Sequence, residues 1–205
     1  MEFIRDPYLA LYVPFYQLDG GALMSRDLYG HRITTFGTKW TPKGVILDGV
    51  NDYISCSNHT ILGFTNNFTL EYWLNPDTWT GTKRWVTKAD SYVLGGFTNT
   101  FKFEINISAA WKSLTVASLP STGIPHHIVG TYDGASMKLY VDGLIDNKMA
   151  QTGDVTVNRN NFQIGRYAAE GDWGDGTMGE IRAYGRCLNP LEIQRNYLAT
   201  KWRYR

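Results

Sequence analysis

Tyr132–Gly143 reads YDGASMKLYVDG. Two Asp-Gly pairs bracket a short apolar run that contains one lysine, and the pairs stand nine residues apart. Asp-Gly between β-prone segments marks a tight hairpin, because a type I′ turn holds both central residues at positive φ. Asp142-Gly143 has this setting, with Lys138–Val141 entering and Leu144–Met149 leaving. Asp133-Gly134 opens a longer loop, 133–136, after the run His127–Tyr132. The stretch therefore predicts a three-strand antiparallel meander. On its middle strand Met137, Leu139 and Val141 share one face while Lys138 and Tyr140 share the other, so one side is apolar enough to face a core.

Further strand-like runs extend this pattern in both directions at the spacing of a sandwich. They are Leu9–Phe15, Gly44–Leu47, Tyr53–Cys56, Phe68–Leu74, Arg84–Thr87, Tyr92–Phe97, Phe101–Ile107, Leu114–Ala117, Asn161–Ile164 and Glu180–Tyr184, separated by Gly, Asn, Asp, Pro and Thr clusters. No long run of helical period precedes residue 189. One helix is predicted after it: Asn189 is an N-cap, Pro190 suits the first helical position, and Glu192 completes a capping box. Leu188 and Ile193 can staple its start, and Ile193 and Tyr197 lie on one face for docking. The pattern is all-β, with two antiparallel sheets face to face and a short C-terminal helix. With no linker or repeat, 205 residues read as one domain over 1–205.

The totals narrow the partners. A formal net charge of +1 argues against nucleic acid, whose binding shows as a basic excess. No segment approaches a membrane-spanning helix, so membrane insertion is not expected. The start, MEFIRDPYLALYVPF, does not read as a signal peptide, because Glu2, Asp6, Pro7 and Pro14 interrupt it. The sequons at Asn58, Asn67 and Asn106 then read as chance matches. Cys56 and Cys187 make no disulfide framework; one bridge or two free thiols both remain open.

Four segments, in order, resemble the laminin-G-like, concanavalin A-like jelly-roll domains. They are ILDGVNDYI (46–54), NFTLEYWLNP (67–76), HHIVGTYDGASMKLYVDG (126–143) and GTMGEIRAYGRCLNPLEI (176–193). The resemblance spans nearly the whole chain and implies a two-sheet sandwich with a concave face. It also implies a Ca²⁺ near the chain ends in many members. Its functions include glycan binding, protein binding and adhesion, and some jelly rolls of this architecture are hydrolases or lyases.

Calcium takes six to eight oxygens. Asp48, Asn51 and Asp52 supply oxygens within five residues, and the resemblance implies that the final motif brings Glu180 alongside. Gly179 stands where the family pattern has Asp, which removes a ligand. Catalysis lacks a template. Paired carboxylates on one strand face would read as E-x-D, whereas Glu71 and Glu104 stand alone and Glu170, Asp172 and Asp175 sit in the glycine-rich stretch AAEGDWGDG. His31, His59, His126 and His127 show no metal spacing, and the pair His126-His127 reads as structural, one ring buried and one at the rim. Nucleophilic triads and phosphate loops are absent from the sequence pattern, and the chain reads as non-enzymatic.

Sugar sites combine exposed aromatic plates with polar side chains that bond hydroxyls. Trp173 with Asp172 and Asp175 is the first candidate, Trp111 the second, and Trp79 and Trp85 lie near expected loops. Trp73 belongs to the core, and Trp40 and Trp202 pack near the termini. The sequence therefore points to a non-catalytic carbohydrate-binding or adhesion module for a glycan or glycosylated surface, with Ca²⁺ as a candidate helper. The alternative is a structural or decoration subunit of a virion or cell surface, whose aromatics serve self-association or another protein. A polysaccharide hydrolase or lyase is the third reading.

Overall fold

The computed structural model describes residues 6–17, 24–167 and 172–205. These form two antiparallel sheets and one helix, α1 (Pro190–Thr200). The first sheet runs in the order β13 (Leu144–Ala150), β12 (Ser136–Val141), β11 (His126–Tyr132), β6 (Phe68–Asn75), β15 (Asp175–Tyr184), β4 (Gly44–Asp48), β3 (Lys39–Thr41), with β1 (Leu9–Pro14) also on β15. The second runs β10 (Ala110–Thr115), β9 (Thr100–Ile107), β8 (Tyr92–Phe97), β7 (Lys83–Lys88), β14 (Phe162–Ile164), β5 (Tyr53–Cys56), β2 (Ile33–Phe36).

The meander is β11–β12–β13, as the Asp-Gly pairs require. Asp142 and Gly143 sit at φ 52° and 80°, the I′ pair, which a side chain at position 143 would disturb further by meeting Tyr197. Asp142 does more than turn the chain. Its carboxylate accepts from the His127 amide (2.9 Å) and lies 2.8 Å from His126 Nδ1, while His126 Nε2 lies 3.1 Å from Ser121 Oγ. This Ser–His–Asp order corrects the expectation that no such constellation exists. Here it braces loop 121–125 against the hairpin. Burial would raise the Asp142 pKa, but hydrogen bonds from His126 and the His127 amide outweigh it and hold it below the usual range.

Four elements differ from the sequence reading. β10 begins at Ala110 rather than Leu114, because Ser108 and Ala109 make a two-residue turn at positive φ (52° and 62°) without Asn or Gly to signal it. β2 and β3 are short strands with no expected counterpart. β15 starts at Asp175, five residues early, its first half disguised by Gly176 and Gly179.

The sheets enclose one core to which β6 contributes Phe68, Leu70, Tyr72 and Leu74. Its alternate residues Thr69, Glu71 and Trp73 are also buried, because α1 and the chain beyond it cover the outer face of the first sheet. Asn189 and Glu192 form the expected capping box, and Leu188 and Ile193 pack with Val129, Tyr140 and Tyr184. Trp73 is buried in this second layer: it donates to Thr200 Oγ1 at 2.9 Å and stacks on Tyr204 at 4.5 Å. Trp40 packs edge-on to Phe15, and Trp202 is exposed. Cys56 is buried, Cys187 half-buried, and both are free thiols.

Under the helix lies a charge network. Glu71 accepts from His127 Nε2 (2.9 Å), Arg182 Nη1 (3.0 Å) and Asn196 Nδ2 (3.0 Å). Arg182 also donates to Glu180 (2.8 Å), which accepts from Arg203 (3.0 Å) and Tyr12 (3.2 Å). His126 and His127 are both buried, so neither reaches the rim. Burial alone would raise the Glu71 pKa, yet Arg182 and the His127 hydrogen bond bring it down to about 2 from 4.5. A depressed carboxylate stabilises the fold above its unfolded pKa and loses that contribution as pH falls toward the folded value. About 3 kcal/mol should therefore disappear between roughly pH 5 and pH 2. Urea unfolding across that range checks this, and Glu71→Gln should be less stable at pH 7 and lose part of the slope. Asp142→Ala should cost about 1–3 kcal/mol by the same assay, from the unpaired amide and imidazole it leaves.

Candidate functional site

Among the described residues no helix covers the outer face of the second sheet. Pairing registers lay one row of side chains straight across it: Ser113, Glu104, Val93, Thr87, Gln163, Ser55 and Thr34. A β-bulge between Arg84 and Val86 decides what stands next to that row. It leaves both Trp85 and Val86 in the core and sends Arg84 outward. The Arg84 guanidinium lies 3.6 Å over the Phe97 ring and 5.5 Å from that of Tyr167. It reaches Asp172 at 3.3 Å and Glu104 at 3.5 Å, and Glu104 also accepts from Ser113 Oγ. A parallel bridge between Arg84 and Trp173 brings the Asp172-Trp173 segment onto this face.

Beside Arg84 stands an aromatic stack. Phe36 and Tyr53, opposite each other on β2 and β5, are parallel at 4.2 Å with 9° between planes. Trp173 lies 5.9 Å from Tyr53, and the Arg166 guanidinium sits 3.6 Å over the Tyr53 ring. Phe36 is 40% exposed, and Tyr53, Trp173, Phe97 and Tyr167 are half-buried, so ring faces and edges remain available. The site thus offers apolar plates, carboxylates that accept and guanidinium groups that donate.

The sequence candidates divide over this geometry. Trp173 and Asp172 join the cluster. Trp111 lies on the same face, opposite Asn106 and 38% exposed, three strands across and four residues along from Arg84, or about 20 Å at β-sheet spacing and rise. Trp79 and Trp85 are corrected: both are buried and their indole N–H groups donate to the carbonyls of Pro120 (2.7 Å) and Asp175 (2.9 Å). Neither offers a face to a ligand. Asp175 turns from the cluster to Lys83 at 3.1 Å, and burial raises its pKa. Glu170 lies outside the described residues. Sequence reasoning missed Phe36, Tyr53, Phe97, Arg166 and Tyr167 as one set. Strand alternation places Tyr53 on the outer face, but which strands lie side by side is not written in the sequence.

The four residues set out as a calcium site do not come together. Asp48 Oδ1 accepts the amides of Val50 (2.9 Å), Asn51 (3.1 Å) and Asp52 (3.3 Å), the first of which chiefly lowers its pKa. Asp52 accepts from the Asp48 amide at 3.1 Å, which makes this segment a self-contained turn. Glu180 stands far along β15: Asp175 pairs with Asp48 but Glu180 pairs with Pro14, about 16 Å away at strand rise. Its carboxylate is held by Arg182 and Arg203. At Gly179 a side chain would collide with the Tyr204 ring, 2.5 Å from an added Cβ, so the aromatic fills the space an Asp would need. Among the described residues no group of three or more His, Cys, Asp or Glu is placed to hold a metal. The residues present do not fit the ion.

Residues 48–194 match the family model described as the concanavalin A-like lectin/glucanases superfamily. No curated protein matches the chain. Among solved structures, it is similar to the binding domain of Paraclostridial Mosquitocidal Protein 1, with TM-score 0.78, 13% identity and coverage of 94% of this chain and 52% of that one. It is similar to the botulinum neurotoxin serotype G binding domain at TM-score 0.76 and 15% identity, covering 94% and 51%. Domain 4 of AbnA, a GH43 extracellular arabinanase from Geobacillus stearothermophilus in complex with arabinotriose, aligns at TM-score 0.73 and 18% identity over 91% and 97%. The chain spans about half the length of the toxin domains and nearly all of the arabinanase domain. At these identities the likeness shows the fold.

Two measurements check the assignments here. Trp85→Ala should cost about 3–5 kcal/mol, as a buried indole does, while Trp173→Ala should cost about 1 kcal/mol or less. Calcium added after chelator treatment should leave the thermal midpoint unchanged; an upward shift that grows with calcium concentration would restore the ion.

Proposed function

The chain belongs to the concanavalin A-like lectin/glucanases superfamily, and from that membership we propose that it is a non-catalytic glycan-binding module. Its ligand lies along the outer face of the second sheet. The observation that carries this reading is the joining of Trp173, Tyr53 and Phe36 with Arg84, Asp172 and Glu104 on a sheet face that no described helix covers. Sugar C–H groups pack against the rings while carboxylate oxygens and guanidinium N–H groups fix the hydroxyls. Trp111 provides a second plate at the far side, so an extended chain is a better match than a single sugar.

The same contacts support binding over hydrolysis. Glu104 and Asp172 share one guanidinium. Both carboxylates are tied to that one cation, whereas glycoside cleavage needs a pair placed on either side of the scissile bond, one as acid and one as base or nucleophile. The domain of the arabinanase, named as a complex with arabinotriose, supplies arabinan as a first neutral probe. A second reading, a structural or decoration subunit, rests on a different surface. Leu144, Ile145, Leu191, Leu198 and Trp202 are each half exposed or more on α1, its C-terminal extension and the β12–β13 hairpin, a form suited to protein contact.

A polysaccharide array followed by titration tests the proposal. A bound polymer should lose about tenfold in affinity, near 1.4 kcal/mol, with Trp173→Ala, and less with Trp111→Ala. Binding unchanged by both substitutions overturns the site. Light scattering separates the second reading, which requires assembly that Leu144→Ser with Leu198→Ser abolishes.

A further inference from the structure

We infer that the glycan bound on this face is an acidic one, and that Arg166 takes its carboxylate; the inference rests on the glycan-binding reading above. The ground for it is ion pairing. At the cluster Glu104 and Asp172 share Arg84, Asp175 pairs with Lys83, and Asp90 accepts from Tyr167. Arg166 is different. Its guanidinium lies on the Tyr53 ring at 3.6 Å, beside Trp173, and no described carboxylate comes within salt-bridge distance. Its Nε–H is buried and has no hydrogen-bond partner. Lys102, 4.6 Å over Phe97 at the other side of Arg84, likewise has no carboxylate partner among the described residues.

A guanidinium held against an aromatic ring is pre-organised for a planar anion. A carboxylate fits the open Nη1–Nη2 edge of this guanidinium with two parallel hydrogen bonds. The sugar ring that carries it would rest on the neighbouring indole and phenol faces. The cationic charge without a carboxylate partner among the described residues lies at both ends of the cluster, Arg166 and Lys102. A neutral polysaccharide leaves it unused, whereas a uronic-acid polymer presents a carboxylate on each ring. Anions also make the binding salt-sensitive, because the pair is only half-buried.

The test titrates the full chain with polygalacturonate, dextran sulfate and neutral arabinan at low and high salt. Polygalacturonate should bind at least tenfold more tightly than arabinan at low salt, with the gap closing as salt rises. Arg166→Gln should remove the preference, weakening polygalacturonate far more than it weakens arabinan. Arg166→Lys should recover part of it, since charge survives and the fork does not. Thermal melts matched to wild type show that each variant is folded. Preference retained in a folded Arg166→Gln overturns the inference, and tighter binding of dextran sulfate overturns the carboxylate assignment. Should Trp173→Ala weaken both polymers while the acid preference survives Arg166→Gln, the inference falls and the glycan reading stands. No binding of any polymer by wild type overturns both.

Discussion

Strand β6 is buried on both faces, and the rest of the molecule answers to that constraint. Its inward side chains, Phe68, Leu70, Tyr72 and Leu74, are ordinary core. Its outward ones include a carboxylate, Glu71, that no solvent reaches. A buried carboxylate survives only with hydrogen-bonded counter-charge. Arg182 from β15, His127 from β11 and Asn196 from α1 supply it, so one side chain ties three elements to the centre of the first sheet. The C-terminal helix covers this sheet because leaving it would expose Glu71, Trp73 and Ile193 together.

This covering divides the molecule into two unlike sides. The first sheet spends its outer face on internal packing. The second keeps its outer face for polar and aromatic groups, and there Arg84 plays the part that Glu71 plays opposite. One guanidinium binds Glu104 from β9 and Asp172 from the segment before β15 while lying on Phe97 from β8. The bulge in β7 makes this geometry, since without the extra residue Arg84 and Trp85 would exchange sides. A local irregularity in pairing thus sets a charged side chain on the outer face of a strand whose next two residues face the core.

The legible parts of the fold were those with short-range chemical signals. Asp142-Gly143 announced its turn through positive φ, and Asn189, Pro190 and Glu192 announced the helix through the groups that cap it. Signals failed where the backbone adopted a conformation its residues do not advertise. Ser108-Ala109 makes a hairpin turn with neither Gly nor Asn, which moved Trp111 from an expected loop into β10. Two glycines hid the first half of β15. The placement of Trp173 and Asp172 away from the core was readable because an indole among glycines has no local core to join. Trp79 and Trp85 were misread for the converse reason: polar neighbours in sequence reveal neither that a bulge turns Trp85 inward nor that Trp79 packs on Trp85 and Phe101 and donates to the Pro120 carbonyl.

Alternation, turn residues and caps depend on neighbours a few positions apart, and they determined the all-β class, the meander, the capped helix and the family resemblance. Which strands lie beside one another is a matter of long-range pairing, and only the tertiary structure decided it. That pairing set Arg84 between Glu104 and Asp172, stacked Phe36 on Tyr53, and carried Glu180 away from Asp48 into the grip of two arginines. Charges and rings act through distance in space, and distance along the chain does not encode it.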